Sequence, residues 1–255
     1  FMPNGELVAA NQLRIMPGNN GKGVFLEEGS ENLVSKSSSG SFEDMSEFMP
    51  LSKTGLKVVD DPQTGNSGIN PPTNGPWSHC LRITTPGDKT GEGFELKLPC
   101  ARGCVSFFMR GKGKLRLRVF NLTHYTPGKP EYITLSDQWR RYEIDSVPTW
   151  SDDSDLRLRV ETASKQAVTF LVDGFQMEPK TYATSWMPGG TKRPVETIVY
   201  PLPQAMKDMP QGTMCLWVQP KWTSRTAPMV RDLNGKKPRS REFVYSANYA
   251  PHIYW

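Results

Sequence analysis

Apolar and polar residues alternate along the middle of this chain, from Cys80 to about Pro179. In Phe94–Leu98, for example, every second residue is apolar, so an extended chain places these apolar side chains on one face. The segments that share this pattern, or form short apolar runs between turns, are Val105–Met109, Lys114–Val119, Glu131–Leu135, Trp139–Ile144, Asp155–Val160 and Val168–Val172. About eight antiparallel strands, each with one buried face, predict an all-β fold, a jelly-roll sandwich of two sheets.

The two ends of the chain show no such series of strands. Residues 1–31 hold only short apolar stretches between turn residues, which predicts an extended N-terminal arm without a core of its own. We expect the sandwich over residues 32–180, with a turn-rich region and one strand at about Leu56–Val59 near its start. A linker is predicted over residues 181–211. Residues 212–255 offer one good strand, Gly212–Pro220, and are expected to form an incomplete β segment, truncated or completed by other chains.

The composition agrees with a turn-rich β protein, since the chain holds 22 Gly and 22 Pro, both of which break helices. Its net charge of +5 is mild, and Lys and Arg are scattered among acids. This favours an anionic partner such as acidic polysaccharide over a dedicated nucleic-acid partner. No signal-peptide pattern and no apolar run of membrane-spanning length occurs, so we expect a soluble protein without a membrane partner.

Residues for catalysis or zinc binding are sparse. The four cysteines are too far apart for a paired zinc framework, and we expect buried thiols, with a disulfide as the alternative. The three histidines are isolated, and no motif links any pair of acids. The sequence therefore predicts a protein that is not an enzyme; a hydrolase fragment is the weakest alternative.

Three tryptophans are candidates for sugar binding, because an aromatic ring stacks on the apolar face of a pyranose. Trp77 and Trp150 lie in turn-rich stretches where no core requirement explains them. Trp139 is predicted on the polar face of its strand together with Arg141, whereas Tyr142 is predicted to face the core. The alternative for each tryptophan is packing at a sheet edge or against a neighbouring subunit.

Four arginines occupy the polar faces of two alternating strands: Arg116, Arg118, Arg157 and Arg159. If these strands are neighbours, the arginines form a cationic patch that binds an acidic glycan or the carboxylates of a partner protein. The alternative is a solvated sheet face whose charge is balanced by nearby acids, namely Glu95, Asp155 and Glu161.

Segments at both ends of the predicted sandwich resemble those of a known family. Gly21–Glu28 and Glu31–Val34, followed by Gly40–Glu43, are similar to the opening of carbohydrate-binding-module-like domains in bacteriophage tail and tail-fibre proteins. Phe170–Glu178, followed by Tyr182–Pro188, resembles the end of the same sandwich and its exit linker. The resemblance covers about residues 20 to 222.

The resemblance implies a galactose-binding-like jelly roll and, frequently, a structural calcium ion. Its calcium ligands include a glutamate after the opening Phe and an aspartate in the last strand, which correspond here to Glu43 and Asp173. Ordinary hydrogen-bonded carboxylates are the alternative. Gly212–Lys221 is similar to the first strand of a laminin-G or concanavalin-like lectin domain, although the remainder of such a domain is missing.

The resemblance further implies a role in a virion. The leading hypothesis is a virion structural protein of the tail, fibre or capsid-decorating kind, which forms homo-oligomers and contacts other virion subunits through its arms. The alternative is a glycan-binding adhesin module that attaches to polysaccharide on the host surface.

Overall fold

The computed structural model describes residues 15–18, 21–24, 27, 29–60, 79–99, 103–122, 130–144, 155–180 and 182–194. All of these belong to the first of two units, residues 1–219; the second unit is residues 220–255. The predictions made for Trp77, Trp150 and the strand Gly212–Pro220 therefore lie outside the described residues. Within the described residues, no helix is long and apolar enough to cross a membrane.

The described chain is built from β-strands, together with a short helical turn at Ser37–Ser41 that is kinked at Gly40. The strands are β1 Ile15–Gly18, β2 Gly21–Val24, β3 Ser30–Glu31, β4 Phe48–Leu51, β5 Gly55–Asp60, β6 His79–Thr84, β7 Gly93–Lys97, β8 Cys104–Gly111, β9 Lys114–Asn121, β10 Glu131–Thr134, β11 Arg140–Ile144, β12 Leu156–Thr162, β13 Thr169–Glu178 and β14 Lys192–Arg193.

Ten of these strands form two five-stranded antiparallel sheets. Sheet I has the strand order β10-β9-β12-β7-β4, and sheet II has the order β11-β8-β13-β6-β5. Two small two-stranded sheets, β1-β2 and β14-β3, complete the set. The predicted all-β sandwich is confirmed.

The core forms where the apolar faces of the two sheets meet, as the alternation predicts. Sheet I contributes Leu96 and Leu158, and sheet II contributes Ile83, all fully buried. Phe175 of β13 packs against rings from both sheets, stacked on Phe107 with a centroid distance of 5.3 Å and meeting others edge-on. Burial of this apolar surface drives the association of the two sheets.

Two strands differ from the predicted pattern. The strand predicted at Val168–Val172 extends as β13 to Glu178, with a bulge between Asp173 and Gln176 after which Phe175 and Met177 face the core. Gly174 has a φ of +63°, and a Cβ there would lie 2.8 Å from Phe108. Strand β4 falls in a region predicted to be loop, since its exposed Met49 and Pro50 give no alternation on this short edge strand.

The outer face of sheet II is partly covered by residues 182–194, here named the strap. These residues fall within the segment predicted as a linker, yet Trp186 and Met187 are buried on the sheet. The side-chain amide of Asn32, which is distant in sequence, binds the strap. It donates to the carbonyl oxygens of Met187 and Phe175 at 2.9 and 3.1 Å, and accepts from the backbone N–H of Met177.

Candidate functional site: the outer face of sheet I

The structure brings all four candidate arginines together on the outer face of sheet I. Strands β9 and β12 are antiparallel neighbours, and their register places Arg118 directly opposite Arg159 and Arg116 opposite Glu161. The residues between them along each strand face the core, so the arginines point away from it. The condition for a shared arginine surface, that the two strands be adjacent, is met.

Carboxylates on the same face pair with these arginines. Glu161 Oε1 lies 2.9 Å from Nη2 of Arg116 and 2.9 Å from Nε of Arg118. Glu95, on the neighbouring strand β7, contacts Arg159 closely and lies 3.9 Å from Nη1 of Arg157.

Asp155 completes the set, since its Oδ1 accepts from Nη2 of Arg157 at 2.9 Å. Four arginines thus face three carboxylates on this surface. These are the three acids that were expected from the sequence to balance the arginine charge. The surface is an ordered array of guanidinium donors and carboxylate acceptors, with an excess of one positive charge among these seven groups.

Phe120 lies beneath two of the guanidinium groups. The guanidinium carbon of Arg159 is 4.3 Å from the Phe120 ring centroid and that of Arg118 is 5.8 Å from it, while the ring is only 6% exposed. Burial lowers the pKa of Arg118, Glu161 opposes that change, and Arg159 and Arg116 add to it. The packing holds the planar arginine groups in place over the sheet.

Tyr132 stands at the edge of this face, and the sequence analysis did not single it out. It lies on the edge strand β10 directly opposite Arg116, and it is 65% exposed. Period-two alternation could have predicted the outward direction of Tyr132. Ile133 packs on the core, so its neighbour Tyr132 must face outward. An exposed ring beside polar groups is what stacking on a sugar requires.

The predicted exposure of Trp139 is wrong. Its side chain is 2% exposed and packs in a cluster with Cys80, Phe108 and Trp186 on the outer face of sheet II. The alternation places Trp139 on the outer side, but the strap covers that side. No stacking surface is available on Trp139.

The strap also partly buries Arg141, which was predicted on a polar face. Its guanidinium donates to the carbonyl oxygen of Thr184 in the strap at 2.6 Å and to the hydroxyl of Ser106 at 2.7 Å. Burial lowers the pKa of Arg141, while Glu143 and Glu178 oppose the change.

The residues predicted to hold calcium lie in different environments. Glu43 is exposed, whereas Asp173 is buried and accepts a hydrogen bond from the Gly174 N–H at 2.6 Å. Among the described residues, no group of three or more His, Cys, Asp or Glu side chains is placed to hold a metal ion. Calcium takes six to eight oxygen ligands, backbone carbonyl oxygens among them, and the ion stays a prediction of the resemblance.

Comparison with known proteins finds similarity among solved structures, several of which are carbohydrate-binding modules. No family model and no curated protein matches the chain. Among solved structures, a family 11 carbohydrate-binding module from a Clostridium thermocellum cellulase is 13% identical, with a TM-score of 0.39, over 59% of this chain and 95% of that module.

Two larger proteins are similar to this chain over part of their own length. An arabinose-bound α-L-arabinofuranosidase is 15% identical with a TM-score of 0.45, over 59% of this chain and 27% of the enzyme. The tailspike protein 4 of bacteriophage CBA120 is 14% identical with a TM-score of 0.39, over 57% of this chain and 21% of the tailspike. The chain thus spans about a quarter of these proteins, and the likeness concerns the fold alone.

Proposed function

We propose that this protein is a non-catalytic glycan-binding module and that its binding surface is the outer face of sheet I. The observation that carries the proposal is the exposed ring of Tyr132 beside the ordered array of arginines and carboxylates. Such modules hold a sugar by stacking and hydrogen bonding, and they need no catalytic group.

The chemistry of this face suits a saccharide chain. A pyranose presents C–H groups that stack on the Tyr132 ring, and its hydroxyls accept from guanidinium N–H groups and donate to carboxylate oxygens. The arginines are held by Glu95, Glu161 and Asp155, so no side-chain reorganisation is needed before the sugar binds. Because these carboxylates offset most of the arginine charge, the face favours a neutral chain over a polyanion.

The test is a titration calorimetry series with neutral β-linked oligosaccharides selected by a glycan array. Tyr132→Ala is expected to weaken binding about tenfold, which corresponds to about 1.4 kcal/mol. Tyr132→Phe keeps the ring and is the matched control, with an expected change below about twofold. An array on which the wild-type protein binds no glycan would remove the proposal, as would equal affinity of the wild type and Tyr132→Ala.

The setting proposed for this module is a bacteriophage virion, in which the chain is a structural subunit. The resemblance of its opening and closing segments to phage tail domains supports this setting. One structural feature favours subunit assembly as a second function: Ile15 and Val24, directly opposite each other in the β1-β2 hairpin, are 45% and 47% exposed. A partner subunit would cover this apolar pair.

Sedimentation velocity tests the assembly function. We expect the full chain to form oligomers and the double variant Ile15→Ser, Val24→Ser to shift toward monomer, since polar side chains remove the apolar contact. A matched control is Met49→Ser, which alters an exposed apolar residue on another strand. A wild-type chain that stays monomeric at high concentration contradicts assembly and leaves glycan binding to be judged by its own test.

A further inference from the structure

One end of the sandwich is formed by five connections, each of which joins a strand of sheet I to a strand of sheet II. The structure describes every residue of these connections. In the order of the strands within the sheets, they are β4-β5, β6-β7, β12-β13, β8-β9 and β10-β11. Because neighbouring strands lie about 4.8 Å apart, the connections leave the sheets at the same interval. This end of the sandwich is therefore a regular row of loops.

Four successive connections each carry one exposed lysine. In order across the end of the sandwich, these are Lys53, Lys89, Lys165 and Lys112, here named the lysine row. A further lysine, Lys114, is exposed at the start of β9. Within the described part of the chain, none of these five lysine side chains forms an ion pair. The row therefore presents one ammonium group for each strand spacing.

Hydrogen bonds and close backbone contacts hold the connections beneath these lysines in place. The buried carboxylate of Glu92 accepts from three consecutive backbone N–H groups, those of residues 87–89, at 2.7, 3.1 and 3.2 Å. Gly87 has a φ of +82°, and a Cβ there would lie 2.3 Å from the backbone nitrogen of Ala167. The β6-β7 and β12-β13 connections are thus in contact, and the lysine stems extend from a backbone whose conformation is fixed.

The other side chains of this end indicate which kind of anion fits the row. The five connections carry two exposed acids, Asp88 and Asp137, and no exposed aromatic side chain. Acids among the lysines repel a strand of nucleic acid, which carries one phosphate for about every 3.4 Å, and no ring is present on which its bases could stack. A polymer whose charges are separated by hydroxyls fits better, because lysines bind its carboxylates while the acids accept hydrogen bonds from its hydroxyls.

We propose that the lysine row binds an acidic polysaccharide whose sugar units carry carboxylates. The strand spacing is close to the length of one pyranose unit in an extended chain, so successive lysines meet successive carboxylates along the row. Each ammonium–carboxylate contact is exposed and weak by itself, and the affinity comes from several contacts made together. The site is separate from the outer face of sheet I, and it stands whether or not that face binds glycan.

The experiment measures binding by titration calorimetry with four probes at 20 and 200 mM salt. The probes are hexagalacturonate, trigalacturonate, neutral galactohexaose and the oligonucleotide hexathymidylate. We expect hexagalacturonate to bind most tightly and trigalacturonate at least tenfold more weakly, because the shorter chain meets fewer lysines. The affinity for hexagalacturonate is expected to fall at least tenfold in the double variant Lys112→Glu, Lys165→Glu, and to weaken severalfold at the higher salt concentration, because salt screens the attraction.

The matched control is the double variant Lys36→Glu, Lys57→Glu, which changes the net charge equally at exposed positions outside the row and is expected to leave the affinity nearly unchanged. Tyr132→Ala is also expected to leave it unchanged, which separates this site from the face of sheet I. Thermal unfolding shows that each variant is folded, and glutamine replaces glutamate in the row if the charge reversals do not fold.

Four results would each overturn the proposal. They are equal affinity of the wild type and the row variant for hexagalacturonate, an equal loss in the control variant, binding of hexathymidylate or galactohexaose as tight as that of hexagalacturonate, and no binding of hexagalacturonate at all.

Discussion

The outer faces of the two sheets have the same residue pattern, but one is open and the other is partly covered by the strap. Each face carries polar and charged residues that alternate with core residues, and each includes arginines. On sheet I the arginines stay partly exposed, with 30% of the Arg116 side chain accessible, and pair with acids on neighbouring strands. On sheet II, Arg141 lies beneath the strap and bonds to a strap carbonyl.

The strap adds a second set of buried contacts to the sheet face that it covers. The strap brings Trp186 onto Trp139 and Phe108, and so builds a second small core outside the sandwich. The backbone N–H of Met187 in the strap donates to the side-chain oxygen of Gln176 at 2.8 Å. We infer that the covered face stabilises the fold, whereas the open face of sheet I is the surface proposed to bind glycan.

The largest expected effect comes from removing the centre of the covered face. Trp186→Ala should lower the free energy of unfolding by about 3–5 kcal/mol, because it leaves a cavity beside buried aromatic rings. Chemical denaturation measures the change. The comparison on the open face is Tyr132→Ala, for which we expect less than about 0.5 kcal/mol. Similar losses in the two variants would refute the division between a stabilising and a binding face.

A smaller effect is expected from the arginine array of sheet I. Glu161→Gln removes the charge shared by Arg116 and Arg118, leaving two like charges close together. Since both arginines are partly exposed, we expect a loss of about 1–2 kcal/mol, less than for a fully buried pair. Denaturation at low and high salt measures it, and the loss should shrink at high salt.

The control for this variant is Asp155→Asn, which neutralises a carboxylate on the same array that is 38% exposed. Its expected cost is below about 0.5 kcal/mol, as is usual for exposed ion pairs. A Glu161→Gln variant as stable as the wild type at low salt would show that the array adds nothing to stability.

The smallest effect concerns Tyr142, which packs against the core at the edge of sheet II. Burial raises the pKa of its phenol above the ordinary value near 10, an effect that Arg140 partly opposes. The folded state then keeps its proton to higher pH than the unfolded state, so this contribution is complete below about pH 10 and is lost above it.

Tyr142→Phe should therefore remove part of the fall in stability above about pH 10 and change little at pH 7. Thermal melts from pH 8 to 11 measure the difference between the two proteins. Parallel stability curves for the wild type and Tyr142→Phe across that range would contradict the raised pKa.

Much of the sandwich was predictable because period-two alternation directly reports which side of a strand is buried. Leu158 and Leu117 face the core as that pattern indicates, and Arg116 and Arg159 face outward. The pairing of β9 with β12 was not predictable in the same way, because alternation carries no information about which strands are neighbours. Sequence reasoning therefore offered the arginine patch only as a conditional hypothesis.

The sequence by itself determined the inner faces of the two sheets, since an apolar residue at every second position of a strand must be buried against something. Only the tertiary structure decided which parts of the outer faces are covered and which are exposed. Trp139 and Arg141 occupy outward positions like those of Arg116 and Arg118, yet the strap covers the first pair and not the second. That choice depends on where a distant segment packs, and local periodicity does not encode it.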